Sequence, residues 1–111
     1  MAKDLKLVIL LDFYGGLLTE KQAAALDLYY NQDMSLAEIA DEMGISRQGV
    51  LAFLKQGEKH LRSFEEKLGL ASRFQAVSGG LEDMRKIAEK MTDKAAKQEL
   101  LELIGSISAT I

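Results

Sequence analysis

The stretch SLAEIADEMGISRQGV, residues 35 to 50, constrains the fold more than any other feature of this chain. Ser35 followed three residues later by Glu38 is a capping box, in which the hydroxyl accepts a backbone N–H and the acid returns the bond. Ile39, Ala40 and Met43 give one apolar stripe, Gly44 stands where a helix stops in the left-handed conformation, and Ser46 is a fresh hydroxyl cap. Only about two turns of helix fit between the first cap and the glycine. A short capped helix, a glycine turn and a second capped helix are the parts of a helix-turn-helix. In that motif the first helix crosses a DNA backbone and the N-terminal residues of the second enter the major groove. Ala40 is small where the two helices pack closely, Ile45 plugs the core, and Ser46 leaves backbone N–H groups and a positive dipole end able to meet a phosphate.

The surrounding sequence is helical throughout. Proline is absent from the 111 residues, and Ala, Leu, Glu, Lys and Gln are frequent, so an all-α chain is expected. Residues 4 to 14 predict a short helix that is apolar on more than one side, with Leu7, Val8 and Leu11 on one stripe and Ile9, Leu10 and Phe13 on another. Such a helix must be covered twice, by the chain's own C-terminal half or by a second copy in a symmetric dimer. Gly15 and Gly16 end it. Thr19 with Gln22 is another capping box, opening a helix to about Tyr30 that buries Ala23, Leu26 and Tyr30, with Ala24 and Leu28 at its edges and NQDM as the following turn.

From Ser46 the next helix runs without a breaker to about Leu68, and Gly69 stops it. Val50, Leu54, Gly57, Leu61, Phe64 and Leu68 recur along it at steps of four and three, a seam on one face. At 100° per residue Gln48, Lys55, Lys59 and Arg62 fall opposite that seam. ASRFQAVSGG, residues 71 to 80, reads as a connector with a Ser-Gly-Gly hinge. Leu81, Met84, Ile87 or Ala88, and Met91 then share a stripe, and Ala96, Leu100, Leu103, Ile104 and Ile107 another after a restart at Thr92 and Asp93. An antiparallel helical hairpin is expected there, with one long bent helix as the alternative. The expected organisation is a helix-turn-helix domain over residues 1–70 and a C-terminal helical hairpin over 71–111, packing back on it or dimerising.

Charge is distributed unevenly beneath a formal net charge of -3. From Thr19 to Ile45 one lysine faces six carboxylates, whereas from Ser46 to Arg62 the cations Arg47, Lys55, Lys59 and Arg62 face only Glu58. The negative total hides a basic helix. Four cations can neutralise a few phosphates and give salt-sensitive binding, far fewer than a strong stand-alone operator binder uses, and a dimer would double them. Ser46, Arg47, Gln48, Lys55, Lys59 and Arg62 are therefore the candidate nucleic-acid-binding residues, and Leu51 the candidate partner-binding residue. The same cations also read as the ordinary solvated face of an amphipathic helix.

Other functions find little support. There is no cysteine, so a disulfide framework, a thiolate metal site and a thiol nucleophile are excluded. His60 is the only histidine and has no metal-ligand companions in sequence, Glu65 with Glu66 and Asp41 with Glu42 point in different directions on their helices, and Met34, Met43, Met84 and Met91 read as core filling. No catalytic, cofactor or metal site is expected. The longest apolar run, LVILL at residues 7 to 11, is too short for a membrane span, and no signal-peptide pattern precedes it, which together predict a soluble cytoplasmic protein.

LTEKQAAALDLYYNQDMSLAEIADEMGISRQGV followed by EKHLRSFEEKLGL resembles the YlxM family, small bacterial proteins whose helix-turn-helix is similar to region four of sigma factors. The likeness covers roughly residues 1 to 75, and LTEKQ, LYY, SLAEIA, SRQ and EEKLGL are its most recognisable pieces. It implies a sigma-region-four-like helix-turn-helix on a long fourth helix, and a DNA-binding transcription regulator. Genes of this family commonly neighbour those of the signal recognition particle GTPase and its receptor, which implies an accessory role in that pathway. The alternative implied is an adapter that touches the particle's protein or RNA without reading DNA sequence. The chain departs from the family pattern after SRQ, where Leu51, Ala52 and Phe53 occupy a polar stretch and Gln56 a basic position. Only Arg47, Gln48 and Lys55 remain to read base edges.

Overall fold

A computed structural model describes residues 3–111, and every regular element among them is helical. In chain order these are α1 (Leu5–Tyr14), a 3-10 turn (Gly15–Leu17), α2 (Glu20–Leu26), a π-helical turn (Asp27–Asn31), α3 (Leu36–Met43), α4 (Arg47–Leu68), α5 (Leu70–Glu89) and α6 (Lys94–Thr110). The all-α expectation holds. The chain divides into two compact units, Met1–Ala71 and Ser72–Ile111.

The first unit starts its helices where the hydroxyls stand. Thr19 and Ser35 each accept from the N–H of the third helical residue while Gln22 and Glu38 close the boxes, and Ser46 accepts from Gly49 N at 3.0 Å. After α3 the N–H of Gly44 reaches Asp41 O at 3.3 Å and that of Ile45 reaches Ala40 O at 3.0 Å, with Gly44 at φ 67. This pair of reversed bonds is the Schellman stop, and it turns the chain tightly into α4.

Helix α4 is the element against which α1, α2 and α3 all pack. Val50, Leu54, Gly57 and Leu61 form its buried line, four of the six expected seam positions; Phe64 is half-buried and Leu68 exposed. Gly57 is there for room. A Cβ at that position would stand 2.6 Å from Leu26 Cδ1 and 3.6 Å from Gln22 Cβ, so the bare backbone of α4 is what lets α2 lie close.

Two expected stripes differ. Helix α2 and its π-helical extension bury Gln22, Ala25, Leu26 and Tyr29, leaving Ala23 and Tyr30 half-buried. The Gln32 N–H bonds five residues back to Asp27 O at 3.0 Å, closing the π turn, while the buried positions 22, 25, 26 and 29 keep ordinary helical spacing. Gln22 is drawn inward by its capping role and by a 3.5 Å hydrogen bond from its amide nitrogen to Gln56 Oε1. Helix α1 buries Leu7 and Leu11 of one expected stripe and Leu10 of the other, together with Tyr14; Val8 and Phe13 are half-buried and Ile9 is 37% exposed.

Tyr14 accounts for the larger correction, at the connector. Helix α4 ends at Gly69 (φ 62), whose N–H bonds Glu65 O at 2.8 Å. The Tyr14 hydroxyl donates to Glu65 Oε1 at 2.6 Å and accepts from Leu70 N at 3.0 Å, and the same carboxylate oxygen accepts from Ala71 N at 3.0 Å. Two orphan N–H groups of a helix start are thus satisfied by side chains from α1 and α4. Residues 71–80 are therefore not a connector with a hinge: α5 starts at Leu70 and runs through Gly79 and Gly80, neither at positive φ.

In the second unit α5 and α6 are joined by residues 90–93, Asp93 capping α6 through a 3.1 Å bond from Ala96 N. Leu81, Ala88 and Ile104 are buried together, with Met91, Leu100 and Leu101 packed against them, so the pair is a helical hairpin.

Gly57→Ala should destabilise the first unit by about 1–3 kcal/mol, the usual cost of forcing a methyl into a packed crossing. Gly16→Ala, with nothing within 4 Å of the new Cβ, is the control and should leave the urea midpoint nearly unchanged.

Candidate nucleic-acid interface

The buried line of α4 decides where its charges go. With Val50, Leu54, Gly57 and Leu61 against the other helices, Arg47, Gln48, Lys55, Lys59 and Arg62 are all exposed, as is the capping Ser46. None of the four cations takes part in an ion pair among the described residues. Arg47 and Arg62 lie fifteen residues apart, about 22 Å along the axis, which exceeds the roughly 12 Å width of a major groove. A helix set across such a groove would reach into it with its first turns only. Lys59 and Arg62 would stand over flanking backbone.

The six residues thus form two groups. Ser46, Arg47 and Gln48 cluster at the helix start, beside the Gly44 turn. Lys55 and Arg62 line the wall of a cavity of about 240 Å³, shared with Leu51, Leu54, Tyr30 and Leu36. Leu51 is 37% exposed at its lip, while Lys59 is outside it.

Two features of this region escaped the sequence reading. Glu58, the one acid on the basic stretch, accepts a 2.6 Å hydrogen bond from the Tyr30 hydroxyl. Burial, and then this bond to a carboxylate, push the Tyr30 phenol well above its ordinary range. The LYY tyrosines point to aromatic packing, but no sequence spacing pairs Tyr30 with a residue 28 positions on. The second is Lys3, whose ammonium sits 4.1 Å from the Tyr29 ring centroid, bonds the Tyr29 carbonyl and pairs with Asp33 at 2.8 Å. Asp33 has φ 54, and Lys3 holds its carboxyl below the usual carboxylate range through that bond and its charge. Glu38 is lowered too, first by the Ser35 backbone N–H.

Among the described residues no three His, Asp or Glu side chains gather in a way that could hold a metal ion, and no helix is long and apolar enough to cross a membrane.

Comparison with known proteins gives a consistent result. The family model described as "Putative helix-turn-helix protein, YlxM / p13 like" matches residues 1–104. A UPF0122 protein of Thermoanaerobacter sp. is 42% identical over 105 residues, covering 95% of this chain and 90% of the relative. One from Streptococcus agalactiae is 45% identical over 98 residues, 88% of this chain and 86% of the relative. One from Acetivibrio thermocellus reaches 53% over 74 residues, 67% and 63% of the two chains.

The tyrosines set an alkaline limit. Tyr14 and Tyr30 both have raised values when folded, Tyr14 by burial and then by its bond to Glu65. Their stabilisation is fully present below the unfolded value of about 10 and is lost as pH rises through the folded values. The melting temperature should fall above about pH 10, and Tyr30→Phe should fall less steeply there than wild type. Thermal melts of both proteins across that window, with tyrosinate absorbance followed alongside, measure this.

Proposed function

The chain belongs to the YlxM/p13-like helix-turn-helix family, and on that premise we propose that it is a DNA-binding regulatory protein of the cytoplasm, accessory to the signal recognition particle pathway. One observation carries the DNA-binding part. A Ser46-capped helix, set by the Gly44 turn, presents Arg47, Gln48, Lys55, Lys59 and Arg62 to solvent, and its four cations have no ion-pair partner among the described residues. Free N–H groups at the helix start and the Arg47 guanidinium meet phosphate or a guanine edge, Gln48 suits adenine, and Lys55, Lys59 and Arg62 meet the backbone beyond the groove. With so few cations the affinity of one chain is low and strongly salt-dependent.

A second reading is favoured by the groove beside Leu51. An exposed leucine over Leu54 and Leu36, edged by Lys55 and Arg62, suits a partner with apolar and anionic groups together. That partner would be the protein or RNA of the signal recognition particle, contacted without any reading of DNA sequence. Leu51→Gln separates the readings, because it removes the apolar contact without changing the charge: it should abolish capture of the particle's components and leave the salt slope of DNA binding in place.

Fluorescence anisotropy with duplex DNA should show binding at low salt that weakens linearly in log-log form as salt rises. Arg47→Ala and Lys55→Ala should each weaken binding and reduce that slope by about 1. No binding at low salt, at protein concentrations well above micromolar, would remove the DNA reading.

A further inference from the structure

The second unit is incomplete as it stands. It has 40 residues, from Ser72 to Ile111, yet buries only Leu81, Ala88 and Ile104. Chains of about that size usually need disulfides, metals or oligomerisation to be stable, and this one has no cysteine. A layer of two helices buries one face between its members and needs a second layer for the other.

The missing layer has a definite side. Leu81 on α5 and Ile104 on α6 mark the line where the helices meet. At 100° per residue Val77, Met84 and Ile87 lie to one side of that line on α5, and Leu103 and Ile107 lie to the equivalent side on α6. In antiparallel helices, offsets of the same sign project to the same flank of the hairpin. These five side chains are 43%, 44%, 66%, 57% and 45% exposed, in that order. Gly80 continues the α5 row between Val77 and Met84, and a Cβ there would meet nothing within the chain. No charged residue falls inside the flank between Val77 and Met91 or between Ala96 and Ile107; Asp83 and Glu99 stand at its rim. The opposite flank carries Glu82, Arg85, Glu89 and Lys97, with ion pairs Arg85–Glu82 at 3.6 Å and Lys97–Glu89 at 3.7 Å.

We propose that this apolar flank is the interface for a second copy of the chain, the two hairpins stacking about a two-fold axis into a four-helix bundle. The five flank residues outnumber the three buried in the hairpin, so covering them more than doubles its core. A two-fold contact is self-complementary, so a charge-free flank meets its own image without burying an ion. Gly80 in the middle of the row permits a close helix approach. With no cation inside it, the flank is not a second nucleic-acid surface, and the proposal stands whatever α4 binds.

Sedimentation velocity on the full chain at tens of micromolar should give twice the 12.3 kDa chain mass, and the urea midpoint should rise with protein concentration. Ile87→Glu and Leu103→Glu should each give a monomer of unchanged helicity, and Glu82→Arg on the polar flank should remain dimeric. A wild-type monomer, or a urea midpoint independent of concentration, would overturn the proposal, as would a dimer that survives both Ile87→Glu and Leu103→Glu. If these variants unfold, the concentration dependence of the wild type decides.

Discussion

The closeness of α2 to α4 is the contact on which the first unit depends. Leu26 reaches into the space that a side chain at position 57 would fill, and the rest of the α4 line, Val50, Leu54 and Leu61, is buried in register with that point. Moving α2 out by even a methyl group would loosen Leu26, Ala25 and Tyr29 together, because interiors are packed to crystal density and do not stretch. α1 and α3 rest on the same helix, so the crossing sets the frame for all three.

That frame is also what makes a charged surface. A helix has one circumference, and once its apolar line is committed to three neighbours, whatever lies opposite is solvent-facing. The basic outer side of α4 follows from the burial of its inner side. Glu58 lies near the boundary between the two and is held there by Tyr30. The chain's net negative charge says little about this face, because of the 17 acids only Glu58 lies between Ser46 and Arg62.

The two units were not equally legible. Capping boxes, Gly44 and Gly69 marked the helix ends, since each is a local interaction between residues three to six apart. The Ser-Gly-Gly segment misled, because glycine is permissive in both directions: it allows a hinge and does not require one. What decided for a helix was a cap built by Tyr14 and Glu65, fifty-one residues apart, and no local pattern announces such a partnership. The same limit hid Lys3 with Asp33 and Tyr30 with Glu58. The stripe of α2 was misjudged for another reason: Gln22, Ala25, Leu26 and Tyr29 keep ordinary helical spacing, but the stripe starts on a polar residue that its bonds with Thr19 and Gln56 hold inward.

The amino-acid order alone therefore determined which segments outside residues 71–80 are helical, where the caps and glycine stops fall, and which side of residues 46–62 is basic, because all of these rest on contacts within about two turns of chain. Tertiary structure alone decided that α5 begins at Leu70, that α1 buries Leu10 and leaves Ile9 at the surface, and that Lys55 and Arg62 share a groove with Leu51 while Lys59 does not. Those outcomes depend on side chains far apart in sequence competing for the same space and the same hydrogen bonds, and only packing resolves that competition.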